Sequence, residues 1–380
     1  MSGTAWVLVA AAAVVVAVAL VAPLVLRRRP DVPSPPPVVR PQVRSRPGLP
    51  TIAFVANPAK AETAAVQSHL LAACAERGLP APLWFPTTVA DPGAGQARAA
   101  LDAGADVVVA VGGDGTVRAV AETMVGSQVP MGLVPTGTGN LLARNIDVPV
   151  GDLTGALRIL ADGRDRLVDV GRLRVDRWGE TEATDGADAR PDSAVAGSQS
   201  ADGRSADYLF TVIAGLGFDG TVVADTPDDL KARVGWVAYL LAGFRHLHGH
   251  RHQVQVTRDD GEPQTAWVRS AMVGNCGRLP GGITLLPDAR PDDGWLDVAV
   301  VDTRGGLAGW AQLFGEVVLQ GAGIRTVLPA KIGRIDHARA QRVRLEVTGS
   351  ATVQVDGDIV GDVAELTAWV EPDALLLRVP

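Results

Sequence analysis

Two short glycine clusters carry the clearest chemistry in this chain. Gly112-Gly113-Asp114-Gly115-Thr116 follows the apolar run DVVVAV and precedes a helical pattern from Thr116 to Val125. Glycines let the backbone approach an anion closely, and the start of a helix adds unsatisfied N–H groups and a favourable dipole. That context fits a phosphate-binding loop, with a bare strand-to-helix turn as the simpler alternative. Pro135-Thr136-Gly137-Thr138-Gly139-Asn140 repeats the arrangement after the next apolar run. Asn57-Pro58 ends an earlier run and Thr87-Thr88 ends another, so four strand ends converge on one crevice, the edge of a nucleotide pocket. Two roles stay open for Asp114: orienting Mg²⁺ or a loop partner, or capping the helix that follows.

The elements around these loops alternate. TIAFVAN, PLWFPTT, DVVVAV and MGLVP read as strands, and the segments between them carry helical spacing, as at Val66, Leu70 and Leu71. Regular alternation of this kind predicts an α/β domain with a parallel sheet. After about Asn145 the texture changes to short alternating runs such as LVDVGRLRVD, HQVQVTRD, RVRLEVTG and ATVQVDGD, which predict a mainly antiparallel β-sandwich domain. Helices are expected there at Asp225 to Leu247 and Gly305 to Gln320. Residues 177–206, rich in Gly, Ala, Ser and Asp, read as a disordered insertion.

Of the 380 residues, 47% are hydrophobic but only 4% aromatic, so the cores rest on aliphatic packing. Cys74 and Cys276 offer neither a disulfide framework nor a zinc site, which fits a reducing compartment. A net charge of -7 argues against a nucleic-acid binder. Residues 1–50 nevertheless hold six arginines and one acid, so a basic arm precedes an acidic body. Trp6 to Leu26 is uncharged and would reach about 31 Å as a helix, the thickness of a bilayer core. Arg27, Arg28 and Arg29 follow it directly. These features predict a transmembrane anchor with a basic flank over 1–29, a Pro-rich linker over 30–50, and a single-pass plasma-membrane protein with its catalytic domain cytoplasmic. Domains are expected at 51–148 (α/β) and 149–380 (β-sandwich), with the last strand free to return to the first.

NPAK, GGDGTVRAVAE, PTGTGNLLARNI, GLGFDG and VDGD occur in this order, and over about residues 51–380 the chain resembles the diacylglycerol kinase catalytic family and bacterial lipid kinases. The resemblance implies an α/β nucleotide domain plus a β-sandwich, and transfer of phosphate from ATP to a lipid hydroxyl. Diacylglycerol is the leading acceptor, ahead of a sphingoid base, and a catalytically weak nucleotide- or lipid-binding protein is the rival from another class. It implies ATP against Asn57, Pro58, Ala59, Lys60, Ala61, Thr88 (or Thr87), Gly112, Gly113, Asp114, Gly115, Thr116, Val117, Arg118 and Thr138. It also implies a Mg²⁺ site at Arg290, Asp293 and Trp295, with Asp293 giving its carboxylate and the other two their carbonyls. Without the resemblance, Asp292-Asp293-Gly294 reads as a hairpin turn. The family's base is a Glu in an Asp-Gly-Glu motif. Here the motif is Asp356-Gly357-Asp358, so Asp358 is the expected base with Asp356 in support. Gly215 to Gly220 reads either as shaping a lipid cleft, with Asp219 at an acceptor hydroxyl, or as a turn of the second domain, and a homodimer is the candidate assembly. His246, His248, His250 and His252 read as a polar loop or helix end rather than a metal cluster, because no Cys or HExxH motif accompanies them.

Overall fold

The computed structural model describes residues 49–58, 63–179, 198–199, 206–217, 251–279, 284–303 and 333–380. The first part alternates: β1 (Ile52–Ala56), α1 (Thr63–Glu76), β2 (Leu83–Pro86), α2 (Ala94–Asp102), β3 (Val107–Gly112), α3 (Asp114–Met124), β4 (Met131–Pro135), α4 (Leu141–Asn145) and α5 (Leu153–Asp162). Strands β2-β1-β3-β4 are neighbours in that order and all parallel.

The two-residue period of β3 divides the packing between two faces. Val108 and Ala110 join a core with Ala97, Ala100, Val117, Val120 and Met124 of α2 and α3. Val107, Val109 and Val111 join another with Leu70 and Cys74 of α1 and with Leu157 and Leu160 of α5. Strands covered on both faces must be apolar throughout, which explains the Val-rich run. Helix α1 packs through Leu70 and Cys74, while Leu71 turns to solvent. Gly78, at φ 67°, ends it in a Schellman motif: Leu79 N–H donates to Cys74 O and Gly78 N–H to Ala75 O. Helix α5 was not among the sequence expectations. Its signals are the Asp152 cap, whose carboxylate accepts from Gly155 N–H at 2.8 Å, and the Leu153, Leu157, Leu160 spacing.

The rest is strands: β5 (Arg164–Trp178), β6 (Ser198–Gln199), β7 (Ala206–Phe210), β8 (Ile213–Leu216), β9 (His252–Arg258), β10 (Gln264–Val268), β11 (Ser270–Gly274), β12 (Leu296–Thr303), β13 (Gly333–Ala340), β14 (Arg342–Val355) and β15 (Asp358–Val379). Their pairings among themselves are antiparallel. Buried residues such as Val254, Val343, Leu345, Val353 and Leu366 form a third core.

The structure corrects the expected fold class. The parallel and antiparallel strands are not two separate sheets but one mixed 15-stranded sheet, joined where Leu377 of β15 pairs in parallel with Met131 of β4. The transmembrane helix is also corrected: among the described residues no helix is long and apolar enough to cross a membrane. The plasma-membrane location that rested on it is not supported. Trp6 to Leu26, the linker, and the helices expected at Asp225 to Leu247 and Gly305 to Gln320 lie outside the described residues. Residues 177–206 are not wholly irregular: Arg177 and Trp178 complete β5, and Ser198–Gln199 pairs with β7. The remainder of that segment, apart from Gly179 and Ala206, lies outside the described residues.

Leu377 is fully buried in the core of the α/β part while belonging to the strand that begins at Asp358. Leu377→Ala should therefore cost about 2–5 kcal/mol of stability, the usual range for a buried Leu truncation. Urea unfolding checks this, and a loss below about 1 kcal/mol would show that the β15–β4 join is not packed as described.

Candidate active site

The parallel strands deliver four loops to one level. Thr87 N–H donates to Ala56 O at 2.8 Å, Asn57 N–H to Val111 O at 3.3 Å and Thr136 N–H to Gly112 O at 3.0 Å, so the ladder continues one residue beyond each strand end. The two glycine loops then meet backbone to backbone. A Cβ on Gly137 would lie 2.5 Å from Gly113 Cα, and one on Gly113 would lie 3.3 Å from Gly137 Cα. Only glycine allows that approach at position 137.

Asp114 holds the loops together. Its Oδ1 accepts from Leu141 N–H at 2.6 Å and its Oδ2 from Asn140 N–H at 2.9 Å, so it caps α4 across the crevice and not only its own helix. Burial raises its carboxyl to about 6; the backbone bonds oppose that shift and the nearby Asp356 adds to it. Asn140 is buried at φ 48°, and its side chain closes the turn through Gly137, accepting from the N–H at 3.0 Å and donating to the carbonyl at 2.6 Å. Arg144 Nε donates to Gly139 O at 2.9 Å, which places a guanidinium beside the same loop. No carboxylate pairs with it among the described residues.

Opposite the loops stands the β14–β15 turn. Asp356 and Gly357 have φ 47° and 95°, the left-handed pair that a two-residue I′ hairpin demands. The Asp356 carboxylate is buried and accepts from Thr211 N–H, Thr211 Oγ1, Val212 N–H and Ile213 N–H at 2.8–3.1 Å. Burial pushes this carboxyl up, while the Arg118 charge and the backbone donors pull it down. Asp358 is partly exposed, and a Cβ on Gly115 would lie 3.7 Å from its Oδ2. Arg118 of α3 donates to Asp358 Oδ2 at 2.6 Å and to Val355 O at 2.8 Å.

Other expected residues fall as follows. Thr116 and Val117 are buried, so they offer a ligand only backbone, whereas Thr138, Thr88 and Pro58 are exposed at their loop tips and Asn57 is half-buried. Thr88 Oγ1 accepts from Asp91 N–H at 3.0 Å. Ala59, Lys60 and Ala61 lie outside the described residues, as do Phe218 to Gly220 and His246, His248 and His250. Gly215 and Gly217 pack against the Ala271 and Arg269 carbonyls.

The Arg290 to Trp295 loop leads into β12. Asp292 pairs with Arg166 at 2.5 Å. Asp293 pairs with Arg339 and accepts from Trp295 N–H at 3.2 Å. Among the described residues no three His, Cys, Asp or Glu side chains form a metal cluster. A carboxylate and backbone carbonyls are donors of the kind a hard cation takes, but Asp293 already spends its two oxygens on Arg339 and on Trp295 N–H. Asp297 Oδ2 is buried without a hydrogen-bond partner, and burial raises that carboxyl to about 6; Arg339 opposes the rise while Asp293 and Asp288 reinforce it. The loop is tied to the hairpin by hydrogen bonds. Asp169 accepts from Gly294 N–H at 2.7 Å, and Asn275 Nδ2 bridges the Asp169 and Thr211 carbonyls. Sequence reasoning missed Arg144, Asp169, Thr211 and Asn275 as members of this constellation. Asn140 was visible only as the end of its glycine motif.

Residues 52–173 match the diacylglycerol kinase catalytic domain, and residues 211–379 match the YegS C-terminal NAD kinase beta sandwich-like domain. A probable lipid kinase YegS-like protein of Pseudomonas aeruginosa is 30% identical over 284 residues, covering 74% of this chain and 79% of the relative. The chain belongs to the diacylglycerol kinase catalytic domain family. It is a lipid kinase of that family, and the family implies use of ATP. A diacylglycerol kinase of Mycobacterium tuberculosis is 27% identical over 263 residues, covering 68% of this chain and 72% of that one. The fold is shared with the crystal structure of a diacylglycerol kinase from Bacillus anthracis, with a TM-score of 0.61, 19% identity, and coverage of 88% of this chain and 99% of the other.

The Asp114 clamp has a pH signature. Between the ordinary carboxylate value and about 6, the folded chain keeps a proton that the unfolded chain has released, so stability falls as pH rises through that window. Urea unfolding from pH about 4 to about 6 should show the native chain losing stability relative to Asp114→Asn. Parallel curves would mean that the carboxylate is not desolvated in the fold.

Proposed function

We propose that this lipid kinase transfers the γ-phosphate of ATP to a hydroxyl of diacylglycerol, giving phosphatidic acid. The observation that carries the reading is the place of Asp358: a half-exposed carboxylate directly over Gly115 of the first glycine loop. A phosphate cradled by the N–H groups of that loop would bring its terminal phosphorus to the same place as a hydroxyl bonded to Asp358. The name of the Mycobacterium tuberculosis relative, a diacylglycerol kinase, supports the acceptor, and the site would lie between residues 51–148 and 149–380 as two domains.

Phosphoryl transfer asks for positioning and charge neutralisation rather than covalent chemistry. The Gly112–Gly115 and Gly137–Gly139 backbones bind the phosphates, held at fixed separation by Asp114. The Arg144 guanidinium, beside the second loop and without a carboxylate partner among the described residues, meets the phosphate charge. Asp358 accepts the hydroxyl proton, and Asp356 fixes the turn that presents it. Thr88, Thr138, Asn57 and Pro58 line the nucleotide side. Mg²⁺ bound with ATP would neutralise phosphate charge, and a second Mg²⁺ would be held by Asp293 with the Arg290 and Trp295 carbonyls as a structural ion.

Two measurements test this. Gly113→Val places a branched side chain where phosphate meets backbone, and calorimetry should show ATP affinity falling at least about tenfold. Unchanged affinity in the folded variant would remove that loop from the site. Asp358→Asn keeps shape but takes no proton, so transfer of labelled γ-phosphate to diacylglycerol in mixed micelles should slow by roughly 10²–10⁴-fold, with ATP affinity kept. Asp358→Glu should retain activity. A native chain that labels a sphingoid base in preference would change the acceptor, and one that labels no lipid would make this a binding protein.

A further inference from the structure

We infer that Arg118 is a positioning residue for phosphoryl transfer, holding one oxygen of the Asp358 carboxylate so that the other faces the acceptor hydroxyl. The inference rests on the reading that Asp358 receives the hydroxyl proton. Arg118 is only 7% exposed, within α3, whose first turn is the glycine loop itself. Its guanidinium reaches Val355 O at 2.8 Å and Asp358 Oδ2 at 2.6 Å. Val355 and Asp358 are the paired residues that flank the Asp356-Gly357 turn, so one side chain grips both arms of the hairpin. Asp358 Oδ1 has no hydrogen bond among the described residues, and its side chain is 43% exposed.

The charges around Asp358 explain why an arginine is needed there. Asp356 of the same hairpin is also a carboxylate, and Arg118 faces both acids at the place where the phosphates of ATP would add further negative charge. A rigid fork can bond a backbone carbonyl and a carboxylate together, which a lysine ammonium cannot do with the same geometry. Asp358 is one methylene shorter than the family's glutamate. The long arginine fixes that short acid at Gly115. The Arg118 side chain is thus committed to the hairpin, and any contact it makes with nucleotide is through its backbone.

The test uses the full chain, ATP and diacylglycerol in mixed micelles, with Arg118→Gln and Arg118→Lys made in both the native and the Asp358→Asn backgrounds. In the native background Arg118→Gln should lower kcat by roughly 10–10²-fold with KM for ATP within about twofold, and the loss should vanish when Asp358 is already Asn. Arg118→Lys keeps the charge but loses the fork, so it should also lower kcat in the native background alone; it also serves if the Gln variant does not fold. An equal fold-loss in both backgrounds would reduce Arg118 to a structural residue and overturn the inference, while leaving the role of Asp358 intact. Normal turnover in Asp358→Asn alone would overturn both.

Discussion

Burying the Asp356 carboxylate is the constraint around which the active end is built. A carboxylate out of water must be surrounded by donors or meet a positive charge. Asp356 has both, from the Thr211–Ile213 backbone and from Arg118. Satisfying it forces β8 against the hairpin and fixes the left-handed turn. The same turn points the next acid, Asp358, back toward the glycine loops. Neighbouring Asp114 feels the same buried charge and spends its own oxygens on Asn140 and Leu141. Loop spacing, hairpin shape and helix α3 are therefore one electrostatic arrangement.

Strand β15 transmits this arrangement to the body. It starts at Asp358, pairs with β14 and along its length with β5, and reaches β4 at Leu377. The α/β part and the antiparallel part share a hydrogen-bonded strand, so the crevice between loops and hairpin is braced by backbone.

What was legible in the sequence was local. Gly112 to Thr116 reads as a phosphate loop because strand, glycine and helix start are contiguous, and Asp356-Gly357 reads as a hairpin because the left-handed conformation falls on two adjacent residues that tolerate it. The alternation of strands and helices marked the α/β part and left the last strand free to return to it, but nothing local showed that β15 fuses all the strands into one sheet. Arg118 looked like one more residue of the nucleotide motif, since nothing in its neighbourhood names a partner 240 positions away. Asp114 was left between two roles because capping a distant helix leaves no trace in spacing. Helix α5 was hidden by the change of texture after Asn145, although its Asp152 cap is a local signal. The apolar run Trp6 to Leu26 suggested an anchor that the described helices do not supply.

The late return of β15 has a bearing on synthesis. A ribosome releases the glycine loops, α3 and Arg118 long before the hairpin that Arg118 grips, and the Leu377 contact with Met131 completes the sheet only when the final strand has emerged. Contacts between such distant positions are slow to form, because a long loop must close first. Until then the nascent chain has the glycine loops but no acid above them. The two sides of the crevice therefore come together only after β15 has emerged, so the site is assembled last although its loops are made first.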